Sequence, residues 1–388
     1  MNNFIFQNPT KIIFGRDTIK NIGKEIKNHG IKKVLIIYGK GSIHRNGVYD
    51  SVIKSLKEEN IDYTEIGGVK SNPVLSKVHE AIEIGRRENV DGILALGGGS
   101  TIDTSKAVSA GMACKYDIWE VLEGKRIIEK ALPIFTVLTM SATGSEMNGS
   151  FVITREEEKK KWSAGSPFVF PKVSIIDPTV QYTLPKNQTS YGAVDAISHV
   201  LENYFIGEDR TDVIDEMSEG IIRAIIKHAK ILLNDPENYN SRCQIAWGAT
   251  MALNGNLKNG KDNGDWATHG IEHSISAFTD IAHGAGLAII HPAWMKYVYK
   301  EDIKKFRRFG EKIFNISEGT DEEIALKGIE KLKEFFKEIG VPITLKEIGL
   351  NKSQLNDIAD NVALSLPRGK IKVLDREDVL NILNLAYE

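Results

Sequence analysis

DGILALGGGSTIDTSK, Asp91 to Lys106, is the stretch that decides the fold. Its apolar run GILAL ends directly on three glycines, and helical character (TIDTSKAVSAGMA) follows. A short apolar run bounded by turn residues reads as a strand buried on both faces. Gly97-Gly98-Gly99 permits a sharp turn and close approach of a ligand, and free N–H groups at a helix start attract phosphate. Ser100 with Asp103 also fits an S-x-x-D capping pair.

The same alternation extends to either side. KKVLIIYG is β-rich and lies between amphipathic stretches. IDYTEIGG, the helical VLSKVHEAIEIGRREN and then LPIFTVLT continue the pattern. Strands separated by helices imply βαβ units and a parallel sheet. FIFQNPTKIIFG at the start predicts two short strands around an Asn-Pro turn. After the turn-like IIDPTVQYTLP (Ile175 to Pro185) the patterns become long and helical. A chain of 388 residues exceeds one compact core, so two domains are expected. These are an α/β domain with a Rossmann-like parallel sheet over residues 1–184 and an all-α domain over 185–388.

Two more strand ends resemble the glycine turn. Tyr38-Gly39-Lys40-Gly41-Ser42 closes VLIIY, and Thr139, Ser141, Thr143 and Ser145 crowd the segment after IFTVL. Alone, each reads equally as a polar loop. Three such loops at strand ends of a parallel sheet fall where open α/β folds bind ligands, which points to a nucleotide.

Composition narrows the function classes. With 50 Lys+Arg against 52 Asp+Glu the net charge is −2, giving no drive toward nucleic acid. The two cysteines form no C-x-x-C pair, so a reduced, cytoplasmic protein is expected. MNNFIFQNPTKIIFG lacks the pattern of a signal peptide. No apolar stretch approaches the roughly 20 residues that span a bilayer, so no membrane partner is expected.

Of nine histidines, three fall in HGIEHSISAFTDIAHGAG, His269 to Gly286. His269 and His273 lie one turn apart on a helix, and His283 follows a short break. SYGAVDAISHVLENYF carries Asp195 and His199 at the same spacing. An Asp amid Ala and Val is awkward in a core unless paired or coordinating. Asp195, His199 and two of the three clustered histidines would make a four-ligand cage suited to Zn²⁺, Fe²⁺, Ni²⁺ or Co²⁺. The bland alternative is a surface Asp–His hydrogen bond. Spacing does not choose which of His269, His273 and His283 stays out.

GGGSTIDTSK, TMSATGSE, DPTVQYTLP, AVDAISHVLENY and HGIEHSISAFTDIAHGAGLAIIHP together resemble the iron-containing (group III) alcohol dehydrogenases, closest to their butanol dehydrogenase branch. The resemblance covers nearly the whole chain and implies the dehydroquinate synthase-like architecture. It implies Asp195, His199, His269 and His283 as ligands of a divalent metal, Fe²⁺ or Zn²⁺, with His273 beside the reacting centre and His291 structural. It places coenzyme phosphates on Gly98, Gly99 and Ser100 with Asp103 nearby. Thr139, Ser141 and Thr143 would line the nicotinamide and ribose, Lys161 would reach the ribose, and Asn72 the adenosine side.

One departure concerns the coenzyme. Many family members end the VLIIY strand with an Asp that accepts the adenine ribose hydroxyls; here that place is Gly39. An acid repels a 2′-phosphate, whereas Gly39, Lys40 and Ser42 accommodate one, so NADP(H) is expected over NAD(H). The implied reaction is reversible hydride transfer between that coenzyme and a primary alcohol or aldehyde, in a cytoplasmic homodimer. Rivals on the same architecture are a glycerol dehydrogenase and a dehydroquinate synthase-like lyase. A phosphorylated or acidic substrate would want several Lys or Arg, and YGAVDAISHVLENY and DWATHGIEH hold none. A nucleotide-binding protein that has lost catalysis would show a broken cage, yet all four ligand positions are filled.

Overall fold

The computed structural model describes residues 1–206, 211–366 and 368–388. Its strands are β1 (Lys11–Phe14), β2 (Lys33–Tyr38), β3 (Asp62–Ile66), β4 (Gly92–Gly97), β5 (Ile134–Leu138), β6 (Ser150–Arg155), β7 (Lys160–Gly165) and β8 (Val173–Ile176). The helices among them are α1 (Ile22–Asn28), α2 (Ser42–Arg45), α3 (Val48–Glu58), α4 (Leu75–Arg87), α5 (Gly99–Ala113) and α6 (Trp119–Leu122). Then come α7 (Lys186–Tyr204), α8 (Asp212–Asn234), α9 (Tyr239–Ala252), α10 (Ala267–Thr279), α11 (His283–Val298), α12 (Ile303–Phe314), α13 (Asp321–Glu338), α14 (Leu355–Ala363) and α15 (Arg376–Leu385). Beyond residue 185 the described residues hold no strand, only an isolated bridge between Arg368 and Leu374.

The six-stranded sheet runs β1-β8-β5-β4-β2-β3 with every pairing parallel. β4 is apolar throughout because both its faces are covered. Ile93 packs with Leu35, Ile37, Val78, Ala107 and Val108. Leu94 and Leu96 pack on the other face with Ile22, Ile26, Val52 and Leu56. The chain passes from β2 outward to β3 and then returns to β4 on the other side of β2. That reversal is a topological switch point, where such sheets bind ligands beyond their carboxyl ends. The two ends meeting there are Tyr38-Gly39 and Gly97-Gly98-Gly99.

Three expectations need correction. Only KIIF of FIFQNPTKIIFG becomes a strand. At the sheet edge β1 pairs with β8, and among the described residues the preceding FIFQ joins no ladder. Secondly, Ile175 and Ile176, read as turn, complete β8, and the antiparallel pair β6–β7 was not anticipated at all. Thirdly, the two compact units do not divide at a single point. One is Gln7–Leu184 with Pro236–Ala246; the other is Met1–Phe6, Pro185–Asp235 and Trp247–Glu388. Within the first unit, Arg16 lies 4.0 Å over the Tyr239 ring, and Ala246 joins Ala95, Ile102, Leu138 and Ile176.

Candidate functional site

In the helical unit, α7 is buried along most of its length, and Asp195, His199 and Glu202 occupy one stripe of it at i, i+4 and i+7. The other faces are filled by Ala193, Val194, Ala196, Ile197, Val200 and Leu201, each 1% exposed or less. α10 supplies His269, Glu272 and His273. Asp280, in the left-handed region at φ 54°, ends α10, and α11 begins again at His283. The glycines after His283 allow close approach. A Cβ on Gly284 would sit 2.1 Å from the Tyr191 carbonyl oxygen of α7, and one on Gly286 2.7 Å from Glu272 Cγ of α10. Only glycine lets α11 start so near both helices.

The outcome is convergence. Asp195 Oδ1 lies 3.6 Å from His199 Nδ1 and 3.7 Å from His283 Nε2. One ligand atom each from Asp195, His199 and His269 lies within 4.8 Å of the others. The rings of His199 and His269 are 4.7 Å apart, those of His269 and His283 5.3 Å, and those of His273 and His283 5.5 Å. A tetrahedral ion with bonds of about 2.0–2.1 Å separates its ligand atoms by roughly 3.4 Å, so the cage is near the right size. Buried His269 Nε2 and His199 Nδ1 have no hydrogen-bond partner among the described residues. Two orphaned imidazole nitrogens in a dry site fit a metal better than they fit a core. Burial, and then the neighbouring histidine rings, hold His199 well below its ordinary pKa, leaving it neutral with a lone pair to give. The donor set of one carboxylate and three imidazoles suits the expected metals.

Two acids missed in the sequence orient these candidate ligands. Glu202 and Glu272 are both fully buried. Glu202 Oε1 accepts from His269 Nδ1 at 2.7 Å and from the His269 backbone N–H at 3.2 Å, while Oε2 accepts from Trp266 N–H at 2.6 Å. Glu272 accepts from His283 Nδ1 and from the Ser276 hydroxyl. Each bond puts the proton on Nδ1 and turns Nε2 toward the cage. Burial pulls the Glu202 carboxyl up, but His269 and its other donors outweigh it and hold the pKa below the usual range. The available signal was spacing: Glu202 continues the Asp195–His199 stripe, and Glu272 sits inside HGIEH. His291, pushed down to about 4 by burial, is fully buried beside Thr268. The flanking segments lack cations, but the fold brings one from far along the chain. A Cβ on Gly270 would meet Arg368 Cδ at 2.6 Å.

In the sheet unit, the residues expected to hold coenzyme fall into two groups. At the switch point Gly98 precedes α5 in extended conformation and no side chain caps the helix. The expected Ser100–Asp103 capping pair is therefore absent. Ser100 lies within the helix, its hydroxyl on the Ser71 carbonyl. Gly99 abuts Thr143, whose side chain fills the place of a Cβ. Thr139 N–H donates to Gly97 O at 3.0 Å, tying β5's end to the turn. Lys161 Nζ donates to Asn72 Oδ1 at 3.0 Å, so those two distant positions do come together. Gly39 O accepts from Gly68 N–H at 2.9 Å, and Ser42 begins α2 after left-handed Gly41. The remaining group is engaged internally. Ser141 accepts from Gln181 at 2.8 Å and Thr143 Oγ1 from Ser145 N–H at 3.2 Å. Asp103 turns inward, accepting from the Ser145 hydroxyl at 2.6 Å and Val152 N–H at 3.0 Å.

Comparison with known proteins bears on the whole chain. The sequence model for iron-containing alcohol dehydrogenase matches residues 9–178, and that for the family's C-terminal region matches residues 189–387. A probable NADH-dependent butanol dehydrogenase of Bacillus subtilis is 46% identical over the full length of both chains. An NADPH-dependent aldehyde reductase of Escherichia coli is 37% identical over 92% of this chain and 91% of its own. The crystal structure of a butanol dehydrogenase of Thermotoga maritima, described as NADH-dependent, superposes with a TM-score of 0.98. It is 54% identical and covers 100% of this chain and 99% of that one. The chain belongs to the iron-containing alcohol dehydrogenase family, in its butanol dehydrogenase-like branch.

Proposed function

We propose that this protein is a metal-dependent alcohol dehydrogenase and aldehyde reductase that exchanges hydride between a nicotinamide coenzyme and a primary alcohol or aldehyde. The observation that carries the reading is the convergence of Asp195, His199, His269 and His283 with two orphaned imidazole nitrogens. Those four residues would hold Fe²⁺ or Zn²⁺. Such an ion, when bound, acts as a Lewis acid toward the substrate oxygen. Glu202 and Glu272 fix the tautomers of two ligands. His273, partly exposed at the end of the histidine row, holds or moves the proton. Gly98, Gly99 and Ser100 would receive the coenzyme phosphates, with Thr139, Ser141, Thr143, Lys161 and Asn72 along its length and Asp103 holding their frame. A metal-replete assay on short aldehydes, with NADPH and NADH compared, tests the reading. Absence of metal-dependent turnover with either coenzyme would overturn it.

Glu202→Gln keeps an acceptor for His269 but removes the charge. Residues of this kind typically contribute about 10–100-fold in metal affinity. The variant is expected to lose metal to a competing chelator at correspondingly lower chelator concentration. Retention equal to wild type would show that Glu202 serves packing alone.

The finer coenzyme reading is NADP(H) over NAD(H), and it rests on the turn after β2. Among the described residues a Cβ on Gly39 would meet only Val69 O, at 3.7 Å, so an acid fits there without strain. Gly39→Asp should raise KM for NADPH and leave NADH the same or better, moving the preference by about tenfold or more through like-charge repulsion. The kcat/KM ratio for the two coenzymes, in wild type and variant, checks this. A wild type that prefers NADH would show that the turn admits a phosphate without selecting one. The named relatives divide on the point, NADH in Bacillus and Thermotoga and NADPH in Escherichia.

We also propose a homodimer, because Phe4, Ile5 and Phe6 are exposed apolar residues preceding an edge strand. A solution-mass measurement decides it. The two cysteines, both free, fit a reducing cytoplasm. No helix of the described residues is long and apolar enough to cross a membrane.

A further inference from the structure

Lys106 is fully buried one turn after Asp103 on α5, the helix whose first turn is Gly99-Ser100. Its ammonium donates to Ser145 Oγ at 2.7 Å, Asn148 Oδ1 at 3.0 Å and the Ser150 carbonyl at 2.8 Å. All three acceptors belong to the segment that leaves β5 and enters β6. Ser145 passes the connection on, donating to Asp103 Oδ1 at 2.6 Å. Asn148 in turn donates to Gly144 O at 2.9 Å, and Ser145 N–H to Thr143 Oγ1. Thr143 stands against Gly99. One helix thus carries the glycine turn at its start and, about two turns on, the cation that gathers the loop facing that turn.

We infer that Lys106 is a positioning residue for coenzyme, setting residues 139–145 against the Gly98–Ser100 turn through a buried Lys106–Ser145–Asp103 relay. The inference rests on the coenzyme reading above. A buried ammonium is a poor choice for stability alone, since apolar residues of similar volume commonly serve as well or better. Here the charge has a second use. The groups facing Lys106 are Asp103 from its own helix and Glu146 from the segment after β5, and these oppose the burial that pushes its pKa down to about 8. A diphosphate at the start of α5 favours the charged form of Lys106. Coenzyme affinity therefore declines as pH rises past that value.

The test is titration of metal-loaded, full-length protein with NADH and with NADPH, followed by coenzyme fluorescence. Lys106→Met is expected to raise Kd for coenzyme by about tenfold or more. Its metal content, and its KM for alcohol at saturating coenzyme, should match wild type. Ser145→Ala, which leaves the ammonium two acceptors, should weaken binding less. Wild-type affinity should fall between about pH 7 and about pH 9.5. A folded Lys106→Met with wild-type Kd would overturn the inference. If that variant fails to fold, wild-type affinity in Ser145→Ala together with a flat pH profile overturns it equally. A wild type that binds neither coenzyme would overturn the coenzyme reading itself, and this inference with it.

Discussion

A His269→Ala protein is expected to emerge from purification with little bound metal and almost no turnover. His269 contributes the buried Nε2 that has no partner among the described residues, so its loss removes a ligand atom outright. It also takes from buried Glu202 its imidazole donor, leaving Oε1 only the Thr268 hydroxyl and the backbone N–H of residue 269. Asp195→Ala should behave alike for a different reason. Its Oδ1 stands between His199 and His283, and it is the one carboxylate of the four proposed ligands. Removing residues that merely orient a ligand typically costs about 10–100-fold in metal affinity, so removing a ligand should cost more. Elemental analysis of each purified variant, beside its turnover with saturating aldehyde, provides the check. Full metal occupancy with normal activity in either would remove that residue from the cage.

His273→Ala should show the opposite division: metal kept, turnover lost. The ring is 5.5 Å from that of His283 but, unlike His269, it is partly open to solvent. That is the place for a group that trades protons, and such transfer typically contributes about 10²–10⁴-fold. kcat is expected to fall within that range. Because Glu272, His273 and His283 also cluster closely enough to hold an ion, metal analysis is the decisive measurement. Loss of metal would move His273 into the cage and one of its neighbours out.

Much of this was legible in the sequence because it depends on local periodicity. GILAL against glycines marked β4 and its turn, and the four-residue spacings marked the helix faces that carry the proposed ligands. What could not be read was anything decided by packing from afar. Which histidine leaves the cage depends on where α11 restarts, and that depends on Gly284 and Gly286 meeting α7 and α10. Glu202 and Glu272 look like ordinary solvated helix acids until the helices close over them. Nothing in the local pattern marks Lys106 as buried, and Ser145, grouped with the hydroxyls after IFTVL, faces inward to Lys106 and Asp103. Arg368 reaches Gly270 across nearly a hundred residues of chain. FIFQ carries strand composition but joins no ladder among the described residues, while the charged β6–β7 segment pairs within its own hairpin. Composition proposes a strand; a partner makes it.

The eleven residues Pro236–Ala246 have a consequence for how the protein is made. The sheet and its flanking helices are synthesised by Leu184, but Ala246 still has to join Ala95, Ile102, Leu138 and Ile176, and Tyr239 to meet Arg16. At roughly 5–20 residues per second, the ribosome delivers that last piece about 3–12 s later. During the interval the nascent sheet unit waits with one apolar cluster open, while the first helices of the other unit are already emerging. The order in which the segments are made and the order in which this cluster can be completed therefore differ in this chain.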